Sequence, residues 1–267
     1  MIFNLDNNGF IINEGNIKKI SYELLSILEE IVIFSRIELG NNFLSAYIRG
    51  SVSVGRFINN ISDIDFVVVS KLTPNRGNLN NFLNYSLELD KRYPLVKGFD
   101  LFLVDKETLF ESQELNKLRV YLSTQSVLMA GEDIINGLER YKPDKKLANA
   151  LLSEIDNEFL FLKNIFSSVE QNFSYNNQTR PLNFWCVWMS RVVLRFSLYA
   201  SLEKHHFYTN DLKDCYKIVS EIYPELEPDL NLALLWSQFP SNDQIVLNDY
   251  IGRVSKKIKE IFIINNK

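Results

Sequence analysis

Residues 47–70 read YIRGSVSVGRFINNISDIDFVVVS, and the fold is decided by how this stretch is read. An apolar segment runs into Gly50-Ser51, a polar loop follows, and Asp63-Ile64-Asp65 opens a run of Phe and Val. The continuous β-branched run 64–70 has the pattern of a buried strand. Side chains alternate across a strand, so Asp63 and Asp65 point the same way at its mouth. Two like charges that close raise each other's proton affinity unless a cation relieves them.

Working outward, 43–49 reads as a strand before the Gly-Ser turn, with a short helix over 51–57 after it. A third strand, 98–104, reads GFDLFLV and carries Asp100 between Phe99 and Leu101. If 64–70 and 98–104 are neighbours in one sheet, Asp100 meets Asp63 and Asp65 on one face. Three clustered carboxylates offer hard oxygen ligands of the kind that suit Mg²⁺, which keeps waters and takes further ligands from phosphates. Two such ions, roughly 3.5–4 Å apart, stabilise both the attacking and the leaving oxygen of an in-line displacement. Asp63 also suits a turn or cap in the loop-like NNISD; Asp65, inside the strand, does not. Gly50 lets backbone approach a phosphate closely. Ser51 adds a hydroxyl at a helix start.

The spacing predicts helices over 18–38, stopped by Gly40, over 78–92 and over 106–122, leaving 123–142 unassigned. After Pro143 the pattern becomes helical throughout. Leu147, Leu151, Ile155, Phe159 and Leu162 predict one long amphipathic helix. A polar loop, SSVEQNFSYNNQTRP, leads to Pro181 at the first turn of a helix reaching about 204. Further helices fit 211–222, 229–238 and 242–264, with no strand in this half. The expected fold class is α/β (α+β): an N-terminal domain, 1–142, with a small mixed sheet, and a C-terminal helical bundle, 143–267.

Composition bounds the partners. The formal net charge of −4 and the even spread of charge do not favour nucleic acid as a partner. Cys186 and Cys215 suggest neither a metal site nor a disulfide framework. MIFNLDNNGF lacks the features of a signal peptide, and no apolar run reaches membrane-spanning length. A cytoplasmic protein, monomer or homodimer, is expected. His205-His206, adjacent at a helix end, read as a surface position where positive charge suits a helix C-terminus. Six acids in 211–229 against two lysines read as a solvated acidic face.

IRGS, eleven residues, then DIDF resembles the signature of the nucleotidyltransferase superfamily related to DNA polymerase beta. The resemblance implies a small mixed sheet with helices on one side. It also implies transfer of a nucleoside monophosphate from a nucleoside triphosphate, ATP as donor, with two Mg²⁺ ions. Asp63 and Asp65 would hold the metals, and Gly50 and Ser51 the triphosphate. In overall layout the chain is similar to the aminoglycoside adenylyltransferases that modify streptomycin and spectinomycin. There the third carboxylate is the catalytic base, usually glutamate; Asp100 occupies its place, one methylene shorter. MSR with Arg191 and NDLKD with Lys213 are similar to residues that contact nucleotide phosphates in that group. Taken by themselves, Arg191 equally suits a salt bridge within the bundle, and Lys213 a solvated helix lysine.

The resemblance departs at the acceptor. FSYNNQTRPLNF has no acid before Arg191, and 106–142 has no tryptophan, so the antibiotic-binding residues are not carried over. The expected acceptor is a hydroxyl of a small molecule such as an aminoglycoside. A protein or tRNA acceptor, as in toxin–antitoxin nucleotidyltransferases, and a non-catalytic nucleotide binder are the alternatives.

Overall fold

The computed structural model describes residues 2–168, 172–175 and 178–265. The chain divides into two compact units. One is Ile12–Arg140; the other joins Met1–Ile11 to Tyr141–Lys267.

In the first unit, α1 (Tyr22–Leu39) starts at Ser21, whose side chain accepts from the Leu24 amide, and ends at Gly40 with φ +50°. Then follow β1 (Phe43–Arg49), a single turn α2 (Gly50–Ser53) and β2 (Ile64–Ser70). Helix α3 (Arg76–Arg92) opens on an Asn75–Asn78 capping box, two amides satisfied reciprocally. Strand β3 (Phe99–Asp105) and α4 (Lys106–Glu111) come next. They are followed by α5 (Asn116–Thr124) and β4 (Ser126–Gly131).

The sheet is mixed, in the order β3-β2-β1-β4. β2 runs parallel to β3, while β1 is antiparallel to β2 and to β4. Its two faces carry separate cores. Ala46, Ile48, Ile64, Phe66 and Val68 pack with Leu28, Ile31 and Phe82 of α1 and α3. Tyr47, Val67, Val69 and Val104 pack with Leu109 of α4 and Leu122 of α5. Burial on both faces explains why β2 is apolar without alternation. It also departs from the one-sided helical layer that the resemblance implies.

The expected helix over 106–122 is two helices. Ser112 is extended, and the Arg119 guanidinium donates to the Leu109 and Ser112 carbonyls at 2.7 and 2.9 Å. A side chain thus satisfies carbonyls that a continuous helix would have bonded within itself.

In the second unit, the expected helix from 147 is likewise two, α6 (Lys145–Leu151) and α7 (Ile155–Ser167). The polar loop and the absence of strands need correcting. β5 (Asn172–Tyr175) and β6 (Gln178–Pro181) form an antiparallel pair. Asn176 and Asn177 between them lie outside the described residues. Pro181 ends β6 and caps α8 (Leu182–Ala200) rather than occupying its first turn. After the short α9 (Leu202–His205) come α10 (Leu212–Ile222), α11 (Glu227–Trp236) and α12 (Gln244–Asn265). α8 is central: it packs on α10, α11 and α12. Trp185, Val193, Leu194 and Leu198 have no exposed surface. A helix apolar nearly all round is buried in this way.

Met1–Ile11 belongs with these helices. The Phe3 amide donates to the Tyr208 carbonyl at 2.8 Å and the Ile11 amide to the Tyr141 carbonyl at 2.8 Å. The Phe3 and Tyr208 rings lie 4.8 Å apart. Among the described residues, no helix is long and apolar enough to cross a membrane.

Candidate active site

The parallel pairing of β2 with β3 sets Asp65 directly beside Asp100. Residues in register on neighbouring strands share a face, so the two carboxylates project together at the end of the sheet where these strands begin. The approach is pinned from both sides. The Lys97 amide donates to the Ser62 carbonyl, and the Ile64 amide to the Gly98 carbonyl, at 3.0 and 2.9 Å. On β3, the Phe99 amide donates to Asp90 Oδ1 at 3.0 Å. Asp63, one residue before β2, is exposed.

Gly50 sits at φ +73°, a left-handed conformation that suits glycine. A Cβ built there would stand 2.5 Å from Asp65 Oδ2. The glycine is therefore required both by the turn and by the carboxylate against it. The helix expected over 51–57 is the single turn α2, held by Ser53 Oγ, which lies 2.7 Å from the Gln125 carbonyl and 2.9 Å from that of Gly50. Ser51 Oγ is buried with no hydrogen-bond partner. A buried hydroxyl in that state costs free energy unless a ligand completes it.

Arg49 also belongs to this site, as a residue that motif reading passes over. It ends β1 opposite Asp65. Its Nη2 lies 3.0 Å from Asp65 Oδ1 and 3.6 Å from Asp100 Oδ2. The guanidinium stands 5.5 Å from the centre of the Tyr121 ring. Burial by itself would lower its pKa, but Asp65, Asp100, Tyr121 and Asp63 outweigh that and raise it. For Asp100, burial pushes the carboxyl above its ordinary value, Arg49 opposes the shift and Asp63 adds to it. A carboxyl raised in this way is suited to accept a proton.

The donor set tests the expected Mg²⁺. Asp63, Asp65 and Asp100 offer only oxygen, and the orphaned Ser51 hydroxyl lies at the adjoining turn. Among the described residues, no three acidic, histidine or cysteine side chains are gathered closely enough to form a ready metal cage. Mg²⁺ does not need one, since waters and phosphate oxygens normally complete its shell. The residues present fit such an ion.

Arg191 on α8 and Lys213 on α10 lie in the other unit; Arg191 is half-buried and Lys213 exposed. The adjacent Arg195 donates from Nε to the Asn210 carbonyl at 3.4 Å.

The chain has the architecture of a solved enzyme. Over 90% of its length it superposes on 99% of the spectinomycin adenyltransferase AAD(9) from Enterococcus faecialis, a structure with ATP and spectinomycin. The TM-score is 0.54 at 13% identity. The fold is a nucleotidyltransferase fold. Among other solved structures that show similarity, the toxin–antitoxin MntA-HpeT, as the D39ED41E mutant, is 17% identical over 50% of this chain and 88% of its own, with a TM-score of 0.29. The tri-AMPylated Shewanella oneidensis HEPN toxin in complex with MNT antitoxin is 17% identical over 51% and 88%, with a TM-score of 0.28. No family model matches the chain. No curated protein sequence matches it significantly.

The expected surface position needs correcting for His205 alone. His205 is not a charged surface group. Burial holds its pKa down to about 4. The Phe207 amide donates to its Nδ1 at 3.0 Å, so the other ring nitrogen, Nε2, carries the proton and faces the Leu198 carbonyl. His206 is exposed, with φ +55° at the helix cap. The acidic stretch 211–229 is also partly structural. Asp211 caps α10, and Asp229 is buried against Arg253 and Lys257, 2.8 Å from each.

Proposed function

We propose that this chain is a nucleotidyltransferase that moves AMP from ATP onto a hydroxyl group of a small molecule such as an aminoglycoside. The observation that carries the reading is the Asp65–Asp100 pair in register, with the Gly50-Ser51 turn closed against Asp65. In this reading Gly50 and Ser51 receive the triphosphate, the Ser51 hydroxyl donating to a phosphate oxygen. Asp63, Asp65 and Asp100 would hold Mg²⁺, which supplies positive charge to the phosphates and to the oxygens of the displacement. Asp100 accepts the proton of the acceptor hydroxyl. The hydroxyl oxygen bonds to the α-phosphorus, the α–β phosphoanhydride bond breaks, and its electron pair leaves with pyrophosphate. Arg191 and Lys213 are assigned to the triphosphate on the strength of the family resemblance.

The test is a screen of aminoglycosides and other hydroxylated small molecules with each nucleoside triphosphate and Mg²⁺, reading pyrophosphate release. Asp65→Asn is expected to abolish release while its circular dichroism stays that of the parent. Undiminished release by that variant sinks the mechanism. With radiolabelled ATP and cell extract, label on protein or RNA instead of a small molecule would move the acceptor to a macromolecule.

A further inference from the structure

Like charges side by side need relief, and in this protein the relief is built into the chain. Arg49 occupies the place between Asp65 and Asp100 that a cation would take, and its side chain is only 17% exposed. The grip is unequal: 3.0 Å to Asp65 and 3.6 Å to Asp100, whose side chain is 43% exposed. Tyr121 backs the guanidinium, and Arg49 Nε is buried without an acceptor. A divalent cation on the same carboxylates would stand beside a fixed positive charge in a partly desolvated site, where repulsion is weakly screened.

We propose that Arg49 is a positioning residue that serves as resident counter-cation of the carboxylate pair. It holds Asp65 and Asp100 side by side in the metal-free protein and competes with the divalent cation for them. The Asp100 side, held at longer range and more open to solvent, is where the metal gains entry. This inference rests on the nucleotidyl-transfer reading for the identity of the metal site.

Mn²⁺ titration followed by electron paramagnetic resonance tests it on the full chain, with Arg49→Met and Arg49→Lys beside the parent. Arg49→Met is expected to bind Mn²⁺ about tenfold more tightly, to melt below the parent in EDTA, and to recover when Mn²⁺ is added. Arg49→Lys keeps the charge but loses the planar fork, so its affinity should fall between the two. A purely structural arginine predicts the reverse, weaker binding in both variants. Equal or weaker Mn²⁺ binding by both variants overturns this inference and leaves the nucleotidyl-transfer reading standing. No Mn²⁺ binding by any of the three proteins overturns both.

Discussion

Gly50 is the residue on which the site turns. Its φ of +73° and the 2.5 Å that would separate an added Cβ from Asp65 Oδ2 make two independent demands. For Gly50→Ala the left-handed backbone by itself costs about 1–2 kcal/mol, and the displaced carboxylate should remove activity beyond that. Urea unfolding and pyrophosphate release, measured on the same variant, separate the two effects; full activity would refute the close approach. His205 makes a different prediction. Its folded pKa of about 4 lies below the ordinary 6.5, so the unfolded chain binds the extra proton between those values. Stability is therefore fully present above about 6.5 and falls as pH drops towards 4, with a slope below about 1.4 kcal/mol per pH unit. Tryptophan fluorescence during urea unfolding at pH 7.5, 5.5 and 4.5 should show a flatter dependence for His205→Asn than for the parent. Equal slopes would exclude the buried neutral ring. The nearness of Asp65 and Asp100 is legible in the sequence because an acid within an apolar strand breaks an expected pattern, whereas the expected gathering of Asp63 with them is not seen among the described residues. Arg49 is not legible, because a charged residue at a strand end is ordinary until the register sets it opposite Asp65.

At the scale of elements, β1 and β2 are legible to the residue because β-branched runs bounded by Gly and polar loops have few other uses. The breaks between α4 and α5 and between α6 and α7 are not. The apolar stripe Leu147, Leu151, Ile155, Phe159 runs on through the second break, so periodicity carries no mark of it. The first depends on Arg119 reaching back to two carbonyls, a contact that exists only in the fold. β5 and β6 escape for a related reason: their polar residues read as loop until two strands are seen to pair. The join of α11 and α12 offers a prediction. Burial raises the pKa of Asp229, but Lys257 and Arg253 outweigh it, and the carboxyl titrates below its ordinary value. Its contribution is thus present above the unfolded-state pKa and lost as pH falls through the folded one. Asp229→Ala should cost about 1.5–3 kcal/mol at pH 7, towards the lower end because Arg253 and Lys257 keep access to water. The gap from the parent should narrow in acid; a gap that widens would show that the charge is not what holds the join.

At the scale of the whole chain, each unit has its own core, and they divide unevenly along the sequence. All three tryptophans, Trp185, Trp188 and Trp236, lie in the helical unit, so their fluorescence reports on that unit. Deleting residues 1–11 removes the Phe3–Tyr208 contact and the hydrogen bonds at Phe3 and Ile11. The fluorescence-detected urea midpoint should fall, and the strands of the Ile12–Arg140 unit should keep their amide-exchange protection. An unchanged midpoint would show that the segment adds nothing. The same segment sets an order of events during synthesis. Its partners Tyr141 and Tyr208 are translated long after it, so the sheet unit can close while the residues that precede it still wait. Domains fold as units while the chain emerges; here a stretch made before the sheet unit finds its place only after that unit is complete, and a translation product halted near residue 140 would carry residues 2–11 without Tyr141 and Tyr208 to pair with.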